Sequence, residues 1–219
     1  MVDYITKEST ILFSDYYNKS IDENLINSFN KIIFCDYELN NDLFEKYSNN
    51  DLDNLRYIYS KFNQKIKIPE NITMITFGHS FDQPLELPIN LTHLTFGSNF
   101  DQYLKLSPNI THLTFGDDFN KPLELSEKIT HLTFGFSFNQ KVDFPFGIKY
   151  LKLCNDKAHN LDYLPVGIEI LELPGHDFYS SLYNLPNSLL VIKICVNYTG
   201  SLKCIHTNTK VEYYENYEY

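Results

Sequence analysis

The sequence predicts a β-rich solenoid, a single rod of stacked turns carrying one parallel sheet. Three observations lead there. A seven-residue segment returns four times at a spacing of 19 residues: Ile72-Thr-Met-Ile-Thr-Phe-Gly78, then Leu91–Gly97, Ile110–Gly116 and Ile129–Gly135. Each copy is followed, three residues after its glycine, by Phe81, Phe100, Phe119 or Phe138. Much of the high aromatic content, 17 Phe and 17 Tyr among 219 residues, obeys this rule. A fixed period near 20 residues is the signature of a repeat architecture, in which each unit buries its apolar side only against its neighbours.

Residues 1–50 read as divergent N-terminal capping turns of one solenoid spanning 1–219. Ile11-Leu-Phe13-Ser-Asp-Tyr-Tyr17-Asn-Lys-Ser-Ile21 aligns position by position with Leu113 to Leu123. Phe29, Ile32 and Phe34 fit one strand; Leu52, Leu55 and Tyr57 fit the next, which places Asn54 in the strand column. The wider spacing here leaves room for two short helices before residue 55. Ser20-Ile-Asp-Glu23 is a capping-box pattern ahead of Leu25 and Ile26, and Asp42–Tyr47 is the second candidate.

Residues 62–144 form the regular repeats. Within a unit such as Leu91–Gly97, positions 4 and 6 (Leu94, Phe96) share the core face by the two-residue period of a strand. The intervening threonines favour strand through β-branching. Glycine at position 7 is expected to leave the strand with positive φ. Pro-Leu-Glu-Leu, as in residues 84–87, is too short and too proline-bound for a helix and is expected to be extended. Phe77, Phe96, Phe115 and Phe134 then make one core column, and Phe81, Phe100, Phe119 and Phe138 another.

The pattern persists in worn form over 145–205, in units starting at Ile148, Ile168 and Leu189. Residues 206–219 are a C-terminal cap or tail; Glu212-Tyr-Tyr-Glu-Asn-Tyr-Glu-Tyr219 suits covering an open sheet edge. About eleven turns at roughly 4.8 Å each make a rod of roughly 50 Å.

The run Leu-Thr-x-Leu-Thr-Phe-Gly followed by Phe-Asn/Asp-Gln/Lys-Pro resembles the FNIP repeat, a leucine-rich-repeat-like family of social amoebae and amoeba-infecting giant viruses. The clear match covers Phe62 to Phe144. The units here are shorter than is usual in the family, in the linking segment. Many members carry an F-box ahead of the repeats; residues 10–68 read instead as repeats. The resemblance implies a leucine-rich-repeat-type solenoid acting as a recognition scaffold, with a viral factor engaging host proteins as the setting it suggests.

Composition narrows the function further. The net charge is −10, which opposes a nucleic-acid or anionic-membrane surface. No apolar run approaches the roughly 18–20 residues of a spanning helix, and the charged start does not read as a signal peptide, so a cytoplasmic chain is expected. No nucleophile elbow, phosphate-binding loop, dinucleotide fingerprint or His-Glu-x-x-His motif occurs, and an open solenoid surface excludes water poorly; neither catalysis nor a cofactor is expected.

The strand face opposite the core offers the candidate site. Position 3 runs Met74, His93, His112, His131, Tyr150, Ile170, Val191, with Lys149, Lys152 and Lys193 alongside and Glu169 and Glu172 between them. A row of outward apolar and aromatic residues marks a docking patch for a protein partner of unknown identity. The three histidines point side by side instead of converging on one ion, so no metal is assigned. The Asn/Asp column Asn18, Asn63, Asp82, Asp101, Asn120, Asn139 reads as turn satisfaction. Cys35, Cys154, Cys195 and Cys204 read as reduced buried thiols. Protein binding through the sheet face is the first reading. Homo-oligomerisation as a self-assembling structural component and a carbohydrate-binding surface are the alternatives.

Overall fold

The computed structural model describes residues 3–36, 59–155, 164–175, 182, 184–198, 201–202 and 205–214. Their strands form one eleven-stranded sheet in strict chain order. The strands are β1 (Tyr4–Lys7), β2 (Thr10–Phe13), β3 (Lys31–Phe34), β4 (Met74–Thr76), β5 (His93–Thr95), β6 (His112–Thr114), β7 (His131–Phe134), β8 (Tyr150–Leu153), β9 (Ile170–Leu173), β10 (Val191–Cys195) and β11 (Lys210–Tyr214). β2 to β11 are parallel, whereas β1 folds back on β2 as an antiparallel cap. The β-rich solenoid of the sequence analysis is therefore the fold observed.

Three details differ from the sequence-based expectation. First, β3 pairs directly with β4, Lys31 opposite Met74, where the spacing predicts a further strand between them; the expected strand at 52–57, with Asn54, lies outside the described residues. Residues 37–58, including the helix expected at Asp42–Tyr47, lie outside the described residues. Second, the one described helix, α1 (Glu23–Ile26), is capped by Asp22, whose side chain accepts from the Asn24 backbone N–H, and not by Ser20. A carboxylate two residues nearer the helix reaches the unpaired N–H groups directly.

Third, no described glycine has positive φ. The glycine column is dictated by crowding. A Cβ on Gly97 would lie 2.4 Å from the Gly78 carbonyl carbon, and one on Gly116 would lie 2.3 Å from the Gly97 oxygen. Successive turns bring backbone against backbone at this corner, and a side chain has no room.

The core is a double stack of rings. Phe77 and Phe81 lie 3.9 Å apart between centroids, Phe96 and Phe100 3.7 Å, Phe115 and Phe119 3.8 Å, Phe134 and Phe138 3.7 Å. Along the rod the strand phenylalanines repeat at 5.5 Å from Phe77 to Phe96 and from Phe96 to Phe115. All eight are essentially fully buried. The column extends back to Phe13 and Phe34 and gives way to Leu153, Leu173 and Ile194 further on. Offset aromatic stacks add stabilisation beyond burial of area.

Polar ladders stitch the turns outside the core. Asn63 Oδ1 accepts the Asp82 backbone N–H at 3.0 Å and the Gln83 side-chain amide at 2.9 Å, and Asp82 Oδ1 repeats both contacts with Asp101 and Gln102. Each Asx thus serves the following turn. Asn90 and Asn109 donate side-chain N–H groups to the preceding turn's Glu70 and Ile89 carbonyls. These contacts explain why asparagine precedes the strand start so often.

Candidate partner-binding face

The open face of the sheet is built from alternate strand residues. Met74, His93, His112, His131, Tyr150, Ile170 and Val191 lie opposite one another in consecutive strands. They form the single continuous column that the sequence spacing predicts, each side chain half-buried.

The imidazoles stack at 4.1 Å between centroids, His93 on His112 and His112 on His131, and Tyr150 follows at 5.8 Å. Each histidine Nδ1 lies 2.9 Å from the hydroxyl of the threonine before it, Thr92, Thr111 or Thr130. Those hydroxyls donate to backbone carbonyls of the preceding turn, Thr92 to Thr73 at 2.9 Å and Thr111 to Thr92 at 3.2 Å. Burial, then the neighbouring positive charges of His93 and His131 in their protonated forms, push His112 down to about 4. His93 is lowered by burial and then by Lys31 and His131, and His131 by burial. Because the rings stack on each other, edges rather than faces meet the solvent.

The lysines beside the apolar end are paired within the sheet. Lys149 meets Glu169 at 2.8 Å, and Lys193 meets Glu172 at 2.9 Å. Lys152 stands over the Tyr214 ring at 5.9 Å. Along β8–β11 one column reads Lys152, Glu172, Lys193, Glu212, an alternation of charge across register neighbours. Glu172 is its hub. Only 7% exposed, it accepts from Tyr214, Lys193 and Tyr150. Burial pushes its carboxyl up, and those three hydrogen bonds together outweigh burial and hold it below the usual range. Burial and then the Glu172 charge raise the Tyr150 hydroxyl.

Sequence reasoning missed two residues on the rim. Phe146 and Val166 are 81% and 80% exposed and occupy matching turns, the Gly167 Cβ position lying 3.2 Å from the Phe146 carbonyl oxygen. The signal was present: Pro-Phe-Gly and Pro-Val-Gly put an apolar residue where the turns at Glu70 and Glu127 are charged. Leu190, the residue before β10, is 56% exposed.

Cys35, Cys154 and Cys195 are buried, and burial pushes the Cys154 thiol up to about 11; Cys204 lies outside the described residues. Among the described residues, no group of three His, Cys, Asp or Glu is placed to hold a metal ion. No described helix is long and apolar enough to cross a membrane.

A parallel sheet of short strands, one per turn of about twenty residues, defines a leucine-rich-repeat-like solenoid. The FNIP repeat family model matches residues 62–99, 81–105 and 100–126, so this stretch is similar to FNIP repeats. Among solved structures it is similar to CroV588, a circular leucine-rich-repeat protein of a giant virus, with 30% identity and a TM-score of 0.58 over 92% of this chain. The chain spans 36% of that protein's length. No curated protein matches the sequence.

Proposed function

We propose that the chain is a non-enzymatic scaffold that binds a protein partner through the open face of its sheet. The observation that carries this is the switch of the central column from Met74 and the histidines to Tyr150, Ile170 and Val191, beside the rim residues Phe146 and Val166. Two adjacent apolar side chains more than three-quarters in water gain nothing for the fold there. Clustered exposed apolar residues mark contact surfaces. Lys149 and Lys193, each paired with a glutamate, and Lys152 over the Tyr214 ring supply a polar border. We extend the reading to a viral factor that engages host proteins, a step prompted by the giant-virus source of the structural neighbour.

Affinity capture from amoebal lysate, run in parallel with the Ile170→Glu/Val191→Glu variant, tests the reading. The expected result is a specific protein retained by the wild type and lost by the variant at unchanged circular dichroism. Equal retention by both would overturn the assignment of the face. Light scattering over a concentration series distinguishes a second copy of the chain as the partner.

A further inference from the structure

We propose that His93, His112 and His131 make the centre of the sheet face a proton-sensitive stripe, a neutral row of hydrogen-bond acceptors at physiological pH that becomes cationic in acid. A threonine hydroxyl has one proton. Thr92, Thr111 and Thr130 each spend theirs on a carbonyl of the preceding turn, at 2.9, 3.2 and 3.2 Å. Their oxygens can then only accept from the imidazole nitrogens 2.9 Å away. With the hydroxyl protons placed on those carbonyls, our assignment puts the ring proton on Nδ1 in all three histidines and leaves each Nε2 as a lone-pair acceptor. The stripe has one polarity, set by the repeat itself.

Protonation reverses that polarity, because both imidazolium nitrogens donate. Ring spacing dictates the order. His93 and His131 each have one imidazole neighbour, whereas His112 has one on each side at 4.1 Å. The two end rings take up protons first, being two strands apart, and the central ring last. The groups facing the stripe offer no compensation: Lys31 on β3, and Tyr150 and Lys152 on β8, with Lys149 beyond it tied to Glu169. Among the outward positions of β3–β8 there is no carboxylate. A group donating a hydrogen bond to this face in neutral solution would therefore meet a donor and a positive charge in acid. The inference concerns the chain alone and stands apart from the identity of any partner.

Long-range nitrogen–proton NMR of the isolated, histidine-labelled chain from pH 7.5 to 3.5 tests it. Three Nδ1–H tautomers are expected at the start, with His93 and His131 titrating ahead of His112, whose midpoint lies at about 4. In the His93→Asn/His131→Asn variant each asparagine amide replaces the donor to threonine, and the His112 midpoint should move up toward 6.5, its ordinary value. Nε2–H tautomers at neutral pH, or three independent midpoints near the ordinary value, would overturn the proposal. Should the double variant not fold, His112→Asn serves instead. His93 and His131 must then keep their Nδ1–H tautomers and titrate below the ordinary value; loss of either result also overturns it.

Discussion

Phe34 and Phe62 lie face to face, 3.9 Å between centroids and 11° between planes, although residues 35–61 separate them in sequence. The same contact between Phe77 and Phe81 spans three residues. Phe62 thus completes the turn begun by β3, and residues 35–61 are a sequence insertion where other turns carry Gly-x-x. Both rings are fully buried, so Phe62→Ala and Phe115→Ala should each cost about 3–5 kcal/mol despite the difference in local sequence. Urea denaturation followed by circular dichroism measures this. A much smaller loss for Phe62 would show that the insertion leaves its turn loosely joined to the stack.

The glycine column gives a sharper contrast. A Cβ on Gly116 meets the Gly97 carbonyl oxygen at 2.3 Å, whereas the nearest atom to one on Gly147 is the Glu127 oxygen at 3.5 Å. Gly116→Ala should therefore cost about 1–3 kcal/mol by overpacking, and Gly147→Ala should be tolerated or slightly stabilising. Melting temperatures of the two variants decide the matter. Equal behaviour would restore backbone conformation, rather than crowding, as the reason for glycine.

That contrast shows what sequence could and could not reveal. The 19-residue period, the two Phe columns and the register from Met74 to Val191 were all legible, because identical units fix side-chain phase and stacking follows from it. The direct β3–β4 pairing was not: the spacing between Ile32 and its register partner Ile75 is wide enough for another turn, and the apolar residues Leu52, Leu55 and Tyr57 fit the pattern of one. Nor was the pairing of Lys193 with Glu172, since charge alternation across strands appears only once β9 and β10 are aligned. Phe146 and Val166 were visible in sequence, but a Pro-x-Gly turn attracts attention for its backbone rather than its middle residue.

The Asx ladder should carry measurable stability. Asn120 Oδ1 accepts from the Asn139 backbone N–H at 2.9 Å and the Gln140 amide at 3.0 Å. Asn120→Ala leaves both donors without that partner and should cost about 1–2 kcal/mol, while Asn120→Asp keeps the acceptor and should cost less. Hydrogen exchange at the Asn139 amide is the direct readout, with faster exchange expected only in the alanine variant.

The rim residues should behave in the opposite way. Phe146→Ser and Val166→Ser remove side chains that are four-fifths in solvent, so stability should stay within about 0.5 kcal/mol of wild type. Loss of partner capture at unchanged stability is the expected outcome for a docking residue. A clear drop in melting temperature would instead place these side chains in the fold.

The Glu172 hub predicts acid sensitivity at the C-terminal end of the sheet. Its folded carboxyl is held below the ordinary range by Tyr214, Lys193 and Tyr150, against the opposing effect of burial. A carboxylate that binds its proton more weakly when folded contributes stability that is present above the unfolded value near 4.5 and is lost as pH falls through the lower folded value. The histidine stripe acts in the same direction at higher pH, since its folded values also lie below the ordinary 6.5, so its contribution begins to fade as pH drops below that value. Wild-type stability should thus decline first below about pH 6.5 and again below about pH 4.5. Glu172→Gln should remove the Glu172 contribution to the second decline and leave the first. Chemical unfolding at half-unit pH steps separates the two. An unchanged lower limb in the variant would mean that the Tyr150–Glu172–Tyr214 contacts do not set the carboxyl's protonation.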